Sequence, residues 1–169
     1  MNPLAEQVFI GEIVQQTKIA NRAAEHLKAA TDPFDALEVW CSIQSILVAA
    51  GIVSRSLWPS KKFSSRGVRL RTLLGVDEGN LLSKRKFRDH FEHYDERIEV
   101  WFEKNRSAVY TDSSIDPFDS IWGPNPVNRH RAYNPETQVL TFRGESLDLA
   151  ALLNVLEEIQ QKCRPLALV

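Results

Sequence analysis

The run from Leu37 to Val53 most limits how this chain can fold, because it is apolar on nearly every side. Glu38 and Gln44 interrupt it, and it is short for a bilayer span, so it reads as a core helix that other segments must surround. The flanking sequence supplies them. Leu4 to Ala30 carries Phe9, Ile13, Ala20, Ala24 and Leu27 at helical spacing, with Glu6, Glu12, Lys18 and Arg22 off that face. Asp32 is expected to cap the core helix and Pro33 to take its first turn, and the helix is expected to end at Trp58-Pro59-Ser60.

Beyond it, a short helix is expected over Val68–Leu74 and a third long helix from about Ser83 to Asn105. The buried stripe of that third helix would be Phe87, Phe91, Tyr94, Ile98, Trp101 and Phe102. Residues 106–128 are rich in Ser, Asp, Pro and Asn, yet hold Tyr110, Phe118 and Trp122, which suggests a segment packed by its aromatics. Arg129–Tyr133 and Gln138–Arg143 flank Asn134-Pro135-Glu136-Thr137, which predicts a β-hairpin. Ser146 would cap a last helix carrying Leu149, Leu152, Leu153, Leu156 and Ile159.

These elements predict a mainly α fold: an up-and-down bundle of four long helices with a small β-hairpin before the last helix. It would form one domain over residues 1–169, a length that suffices for one core. The opening MNPLAEQVF has no basic stretch followed by an apolar one, so neither a secretory signal nor membrane attachment is expected and a cytoplasmic location is. Cys41 and Cys163 lie far apart in apolar helical patterns and read as structural thiols.

Net charge is only −1, but it is unevenly spread. Between Arg55 and Arg88 ten basic residues face only Asp77 and Glu78, a net +8 that leaves the remainder at −9. Such segregation builds a local positive potential suited to a polyanion, unless these side chains are solvated surface facing the acidic remainder. Lys61, Lys62, Arg66, Arg69, Arg71 and Arg85 are the candidates to contact a nucleic-acid backbone.

The segment Lys84-Arg85-Lys86-Phe87-Arg88-Asp89-His90-Phe91-Glu92-His93-Tyr94-Asp95-Glu96-Arg97 concentrates two of the four histidines on one helix. Three readings compete. Arg88 and Glu92 can form a surface ion pair, with His90 and Tyr94 bordering the core and His93 off the apolar stripe. His90 and His93 can bind metal with Glu25, Glu38 or His26, although no second Glu-x-x-His element supports this. A neutral imidazole can instead take a proton from a ribose hydroxyl while an arginine stabilises phosphate charge, chemistry that needs no metal or other cofactor. On a straight helix Arg88 and His93 point about 140° apart. They can share a substrate only if the helix is distorted there or two copies meet.

Arg88-Asp89-His90-Phe91-Glu92-His93 resembles the signature of HEPN domains: an arginine, a polar residue, and a histidine after four to six intervening positions. Arg88, Asp89 and His93 match it. Arg85 and His90 repeat the interval one turn earlier, with Lys86 after the arginine. The resemblance implies an all-helical bundle and a metal-independent endoribonuclease of toxin, defence or RNA-processing type. It also implies a homodimer with a composite site, and an antitoxin or nucleotidyltransferase-type partner. Under it, Arg88 contacts phosphate, His93 is the acid–base group, and Asp89 and His90 orient or assist. Some HEPN-like proteins are non-catalytic, so an interaction module binding nucleic acid or a partner protein is the alternative. The Arg129–Arg143 hairpin lies outside the family's usual pattern.

Overall fold

Asn2 starts the first helix by accepting a hydrogen bond from the Leu4 amide at 2.9 Å, and Pro3 occupies the first turn, where its missing N–H costs nothing. This helix, α1 (Pro3–Ala29), buries Ile10, Ile13, Thr17, Ala20, Ala23 and Leu27 along one stripe, so Phe9 and Ala24 stand at its edge rather than at its centre. In the computed structural model, residues 2–31, 33–84, 86–105, 109–116 and 128–166 are described, with side chains omitted at 86–88. The chain folds as two compact units, one of residues 1–85 and 151–169, the other of residues 86–150.

In the first unit, α2 (Ala36–Leu57) begins three residues later than the position of Asp32 implied. Asp35 is its cap and accepts from the Glu38 amide at 3.0 Å. Asp35 N–H donates to Ala30 O and Thr31 bridges Phe34, so Pro33 belongs to a turn and not to the helix; Asp32 itself lies outside the described residues. By length and composition α2 could cross a membrane, but half of its most apolar stretch is buried within the protein. Val39, Ile43, Ile46, Val53 and Leu57 are fully buried, as expected of a core helix.

After a 3-10 turn at Lys61–Phe63 comes α3 (Ser64–Leu74), four residues longer at its start than the periodicity indicated. Gly67 makes this possible. A Cβ there would lie 2.5 Å from Pro59 Cδ and 2.6 Å from Leu57 O, so only glycine allows α3 to cross the end of α2 so closely. Gly75 ends α3 in the left-handed conformation (φ 57°), with Val76 N–H bonded back to Arg71 O. A second 3-10 turn, Leu81–Ser83, is fixed to α2 by the buried bond from Ser54 Oγ to Leu82 O at 2.6 Å. The last helix, α6 (Leu149–Cys163), buries Leu152, Leu156, Ile159 and Cys163 on one face, and Lys162 Nζ caps α3 through Gly75 O at 2.7 Å.

In the second unit the expected third long helix is two: α4 (Lys86–Glu92) and α5 (Tyr94–Lys104), parted at His93 (φ −116°, ψ 40°). Trp101 is buried as expected, whereas Phe102 is half exposed. The hairpin is present but is part of a larger sheet. Strands β1 (Ser114–Ile115), β2 (Arg131–Asn134), β3 (Val139–Phe142) and β4 (Glu145–Asp148) lie in that order, with β1 parallel to β2 and the others antiparallel. Asn134 shapes the β2–β3 turn, its Oδ1 accepting from the amides of Glu136 and Thr137 at 2.9 and 3.0 Å.

Arg143 (φ 49°) and Gly144 (φ 83°) form a two-residue turn that sends the chain back as β4. Ser146 therefore pairs with Thr141 in the sheet and does not cap the last helix, which starts three residues later. The result is a mainly helical protein with a small sheet before its last helix. Of the aromatics expected to pack the segment before the sheet, Tyr110 does so against Trp101 and Phe102, with ring centroids at 5.0 and 5.4 Å; Phe118 and Trp122 lie outside the described residues.

Candidate functional site

The two histidines of the motif have opposite environments. His90 is buried, its ring stacked on Phe142 of β3 at 4.4 Å and 9°, with Nε2 3.0 Å from the Glu145 carboxylate of β4. His93 sits at the break between α4 and α5 with its side chain 52% exposed. Its Nδ1 is 3.3 Å from Glu96 Oε1, one turn on, which is an exposed and exchangeable contact.

A physical cause for the break is visible on either side of it. His90 is fixed to the sheet by Phe142 and Glu145, and Tyr94 is fixed by Asp112, whose Oδ2 accepts its hydroxyl at 2.6 Å. The helix yields between these two anchors, at a residue with neither Gly nor Pro beside it. The angle of about 140° between Arg88 and His93, derived for a straight helix, therefore does not describe this segment. Arg88 lies in α4 with its side chain outside the described part, and Arg85 is outside it altogether. Asp89 is half-buried.

Behind the motif is a polar and aromatic cluster that the sequence pattern did not single out. Arg131 of β2 grips Asp112 through Nε at 2.9 Å and Nη2 at 2.6 Å, and its guanidinium lies 4.2 Å from the Tyr94 ring centroid. Burial raises the Asp112 carboxyl, but the bonds from Arg131 and Tyr94 outweigh it and hold the group below its usual range. Burial, reinforced by bonds to Asp112 and Tyr110, pushes the Tyr94 hydroxyl far above the usual phenol range.

His130, just before β2, is 1% exposed, and neither of its ring nitrogens has a hydrogen-bond partner among the described residues. It stands among Tyr94, Tyr110 and Phe142 at 5.3, 5.4 and 4.8 Å. Burial above all, together with the charges of Arg143 and Arg131, pushes its pKa down to about 4, against the opposing pull of Asp112, so the imidazole is neutral at pH 7.

Three arginines of the basic stretch are engaged within the first unit, though among the described basic residues of the stretch only Arg71 is buried. Arg71 is buried, donating to Leu57 O at 2.5 Å and pairing with Glu78 at 2.9 Å. Arg69 forks onto Glu6 with both distances 3.2 Å. Arg66 donates to Arg55 O and lies over the Phe9 ring at 4.5 Å. Lys61 and Lys62 are exposed on the 3-10 turn, Lys62 beside Phe63. Lys61 and Lys62 lie in the first unit and the motif in the second.

Among the described residues no three His, Cys, Asp or Glu side chains stand close enough together to hold a metal. His26 pairs with Glu38 at 3.1 Å within the first unit, while His90 pairs with Glu145 within the second. Cys163 is buried, its thiol pushed up to about 11 by that burial, but Cys41 is exposed, which corrects the expectation of two structural thiols. No family model, no curated protein and no solved structure matches this chain, so the reading of the site rests on its own residues.

Proposed function

We propose that this protein is an RNA-directed, HEPN-like domain that cleaves RNA without a metal ion, acting as a homodimer. The observation that carries the reading is the helix break at His93 inside the Arg88–His93 motif, which leaves this imidazole half exposed. His93 takes the proton from a ribose 2′-hydroxyl. The 2′-oxygen then attacks the adjacent phosphorus, and the 5′-oxygen leaves with a proton returned to it, giving a 2′,3′-cyclic phosphate and a 5′-hydroxyl. Arg88 stabilises charge on the phosphoryl oxygens, a role that rests on the motif. Asp89 follows it as the polar residue of the signature. His90 positions the segment by anchoring α4 to the sheet through Glu145 and Phe142. Toxin or defence biology, with an antitoxin or nucleotidyltransferase-type partner and a cytoplasmic setting, belongs to the same proposal.

A second reading is a non-catalytic module binding nucleic acid or a partner protein. It is favoured by the internal engagement of His90, which leaves His93 as the exposed histidine of the motif. Incubating the full chain with labelled RNA in excess EDTA separates the two. Cleavage to cyclic-phosphate ends is the expected result. Binding without cleavage, across structured and single-stranded RNAs, would leave the module reading in its place.

A further inference from the structure

We propose that the groove between α1 and α2 binds a small amphipathic anion: a carboxylate on an unbranched aliphatic body. The groove has a polar stretch lined by charged side chains and an uncharged one, joined through Ile19, Cys41 and Ser45, which line both. The polar stretch, about 430 Å³, carries Lys18, Arg22 and His26 from α1. These residues are four apart, so they stand one above another as a ridge of nitrogen-bearing side chains. Among the described residues Glu38 is the only carboxylate lining this stretch, and it is paired with His26 at 3.1 Å. Arg22 reaches Glu25 at 3.0 Å, but both side chains are about 70% exposed, an arrangement a ligand carboxylate can displace at little cost.

Ser42 supplies the second observation. It lines the polar stretch, is 3% exposed, and its Oγ has no hydrogen-bond partner among the described residues. Its neighbours along α2 behave otherwise: Ser45 Oγ donates to Cys41 O at 2.9 Å and Ser56 Oγ to Ile52 O at 3.0 Å. A buried hydroxyl left unsatisfied in a groove wall calls for an acceptor from outside the chain, and a carboxylate oxygen provides one. Beyond Ser45 the described lining is uncharged, with Ile19, Val48, Ala49 and Ile52 beside Gln16 and Gln44 around about 530 Å³. Val48 remains half exposed there. From Ser42 to Ile52 the helix rises roughly 15 Å, enough for a medium-length aliphatic chain laid along it.

Cys41 reports on occupancy, since it is exposed in the groove while Cys163 is buried and its thiol stays protonated. The experiment follows the rate at which a chromogenic disulfide reagent modifies Cys41 in the full chain, with decanoate added below its micelle concentration. Decanol and acetate, each lacking one half of the ligand, are the controls. Decanoate is expected to slow modification about tenfold at nine-tenths occupancy, with a rise in melting temperature, while the controls do neither. Ser42→Ala and Arg22→Gln should each weaken decanoate about tenfold, the value of one charge-assisted bond. Ser42→Ala should not lower the melting temperature of the ligand-free protein, which separates a ligand role from a packing role. Equal protection by decanol, no protection by decanoate, or protection that rises with protein concentration alone because a second copy covers the groove, would each overturn the proposal.

Discussion

The first unit is held by apolar burial and the second by directional polar contacts. Ile10, Ile13, Ile43, Ile46, Leu57, Leu70 and Leu156 are buried in the first, where polar groups act mainly at helix ends and turns. In the second, His90, His130, Tyr94, Asp112 and Arg131 stand among Trp101, Leu140 and Phe142. Burial of apolar area is non-directional and tolerates small losses. A network of charges and hydroxyls fails when one member is removed, and it responds to pH. Chemistry requires the second kind of region, and the motif histidines lie in it.

The largest effect should follow from breaking that network. Asp112→Ala removes the carboxylate that accepts from both Arg131 and the Tyr94 hydroxyl and should cost about 3–5 kcal/mol, measured by urea unfolding. Replacing Asp112 and Arg131 together with apolar residues should cost less than the single change. If the double replacement costs the sum of the two singles, the pair is not a coupled unit and the contrast between the two regions fails.

Acid provides the next test. His130 is held neutral with its pKa pushed down to about 4, below the usual 6.5, so the unfolded chain binds the extra proton between those values. The stability it contributes is complete above pH 6.5 and is lost as pH falls toward 4, by roughly 3 kcal/mol. Asp112, held below its usual range, adds a loss at still lower pH, as the pH falls through its folded value. Amide exchange corrected for intrinsic rates should show protection of β2 and β3 falling from pH 7 to pH 5, with His130→Leu removing most of that slope. Protection in α2 falling just as steeply would contradict the assignment to the second unit.

Smaller effects are expected in the first unit. Gly67→Ala should lose about 1–3 kcal/mol by overpacking against Pro59 and Leu57 O, although alanine ordinarily favours a helix interior. Thermal melting measures it, and a neutral or stabilising result would show that α3 can move off the end of α2. Arg69→Gln, which removes an exposed fork onto Glu6, should cost under about 1 kcal/mol. If the basic stretch contacts RNA, Lys61→Gln and Lys62→Gln should flatten the salt dependence of binding more than Arg71→Gln does, since Arg71 faces inward.

What the sequence made legible follows the same division. Apolar periodicity located α1, α2 and α6, because burial writes a repeating pattern that a single chain displays, and the turn residues Asn134-Pro135-Glu136-Thr137 located the β2–β3 hairpin. It misplaced the start of α2, where the Thr31–Phe34 bridge overrides the Asp-Pro signal, and the start of α6, where Arg143 and Gly144 turn the chain into a fourth strand. The break at His93 was hidden because its anchors, Asp112, Phe142 and Glu145, come from later segments. Those contacts have no local signature. Nor did charge counting reveal that Arg66, Arg69 and Arg71 make contacts within their own unit. The arginine–histidine spacing of the motif was legible, and so was the contrast between His90 bordering the core and His93 off the apolar stripe, but the partners that hold His90, Phe142 and Glu145, were not.

That contrast is the centre of the account, and single-turnover RNA cleavage in EDTA by His93→Ala tests it most directly, with the melting temperature as the companion reading. The variant should melt within a degree or two of the parent, since His93 is half exposed and its contact with Glu96 is exposed too, while cleavage falls by at least about 100-fold with loss of the acid–base group. Cleavage that persists in His93→Ala, or that is absent from the parent protein until a divalent metal is supplied, would contradict the account.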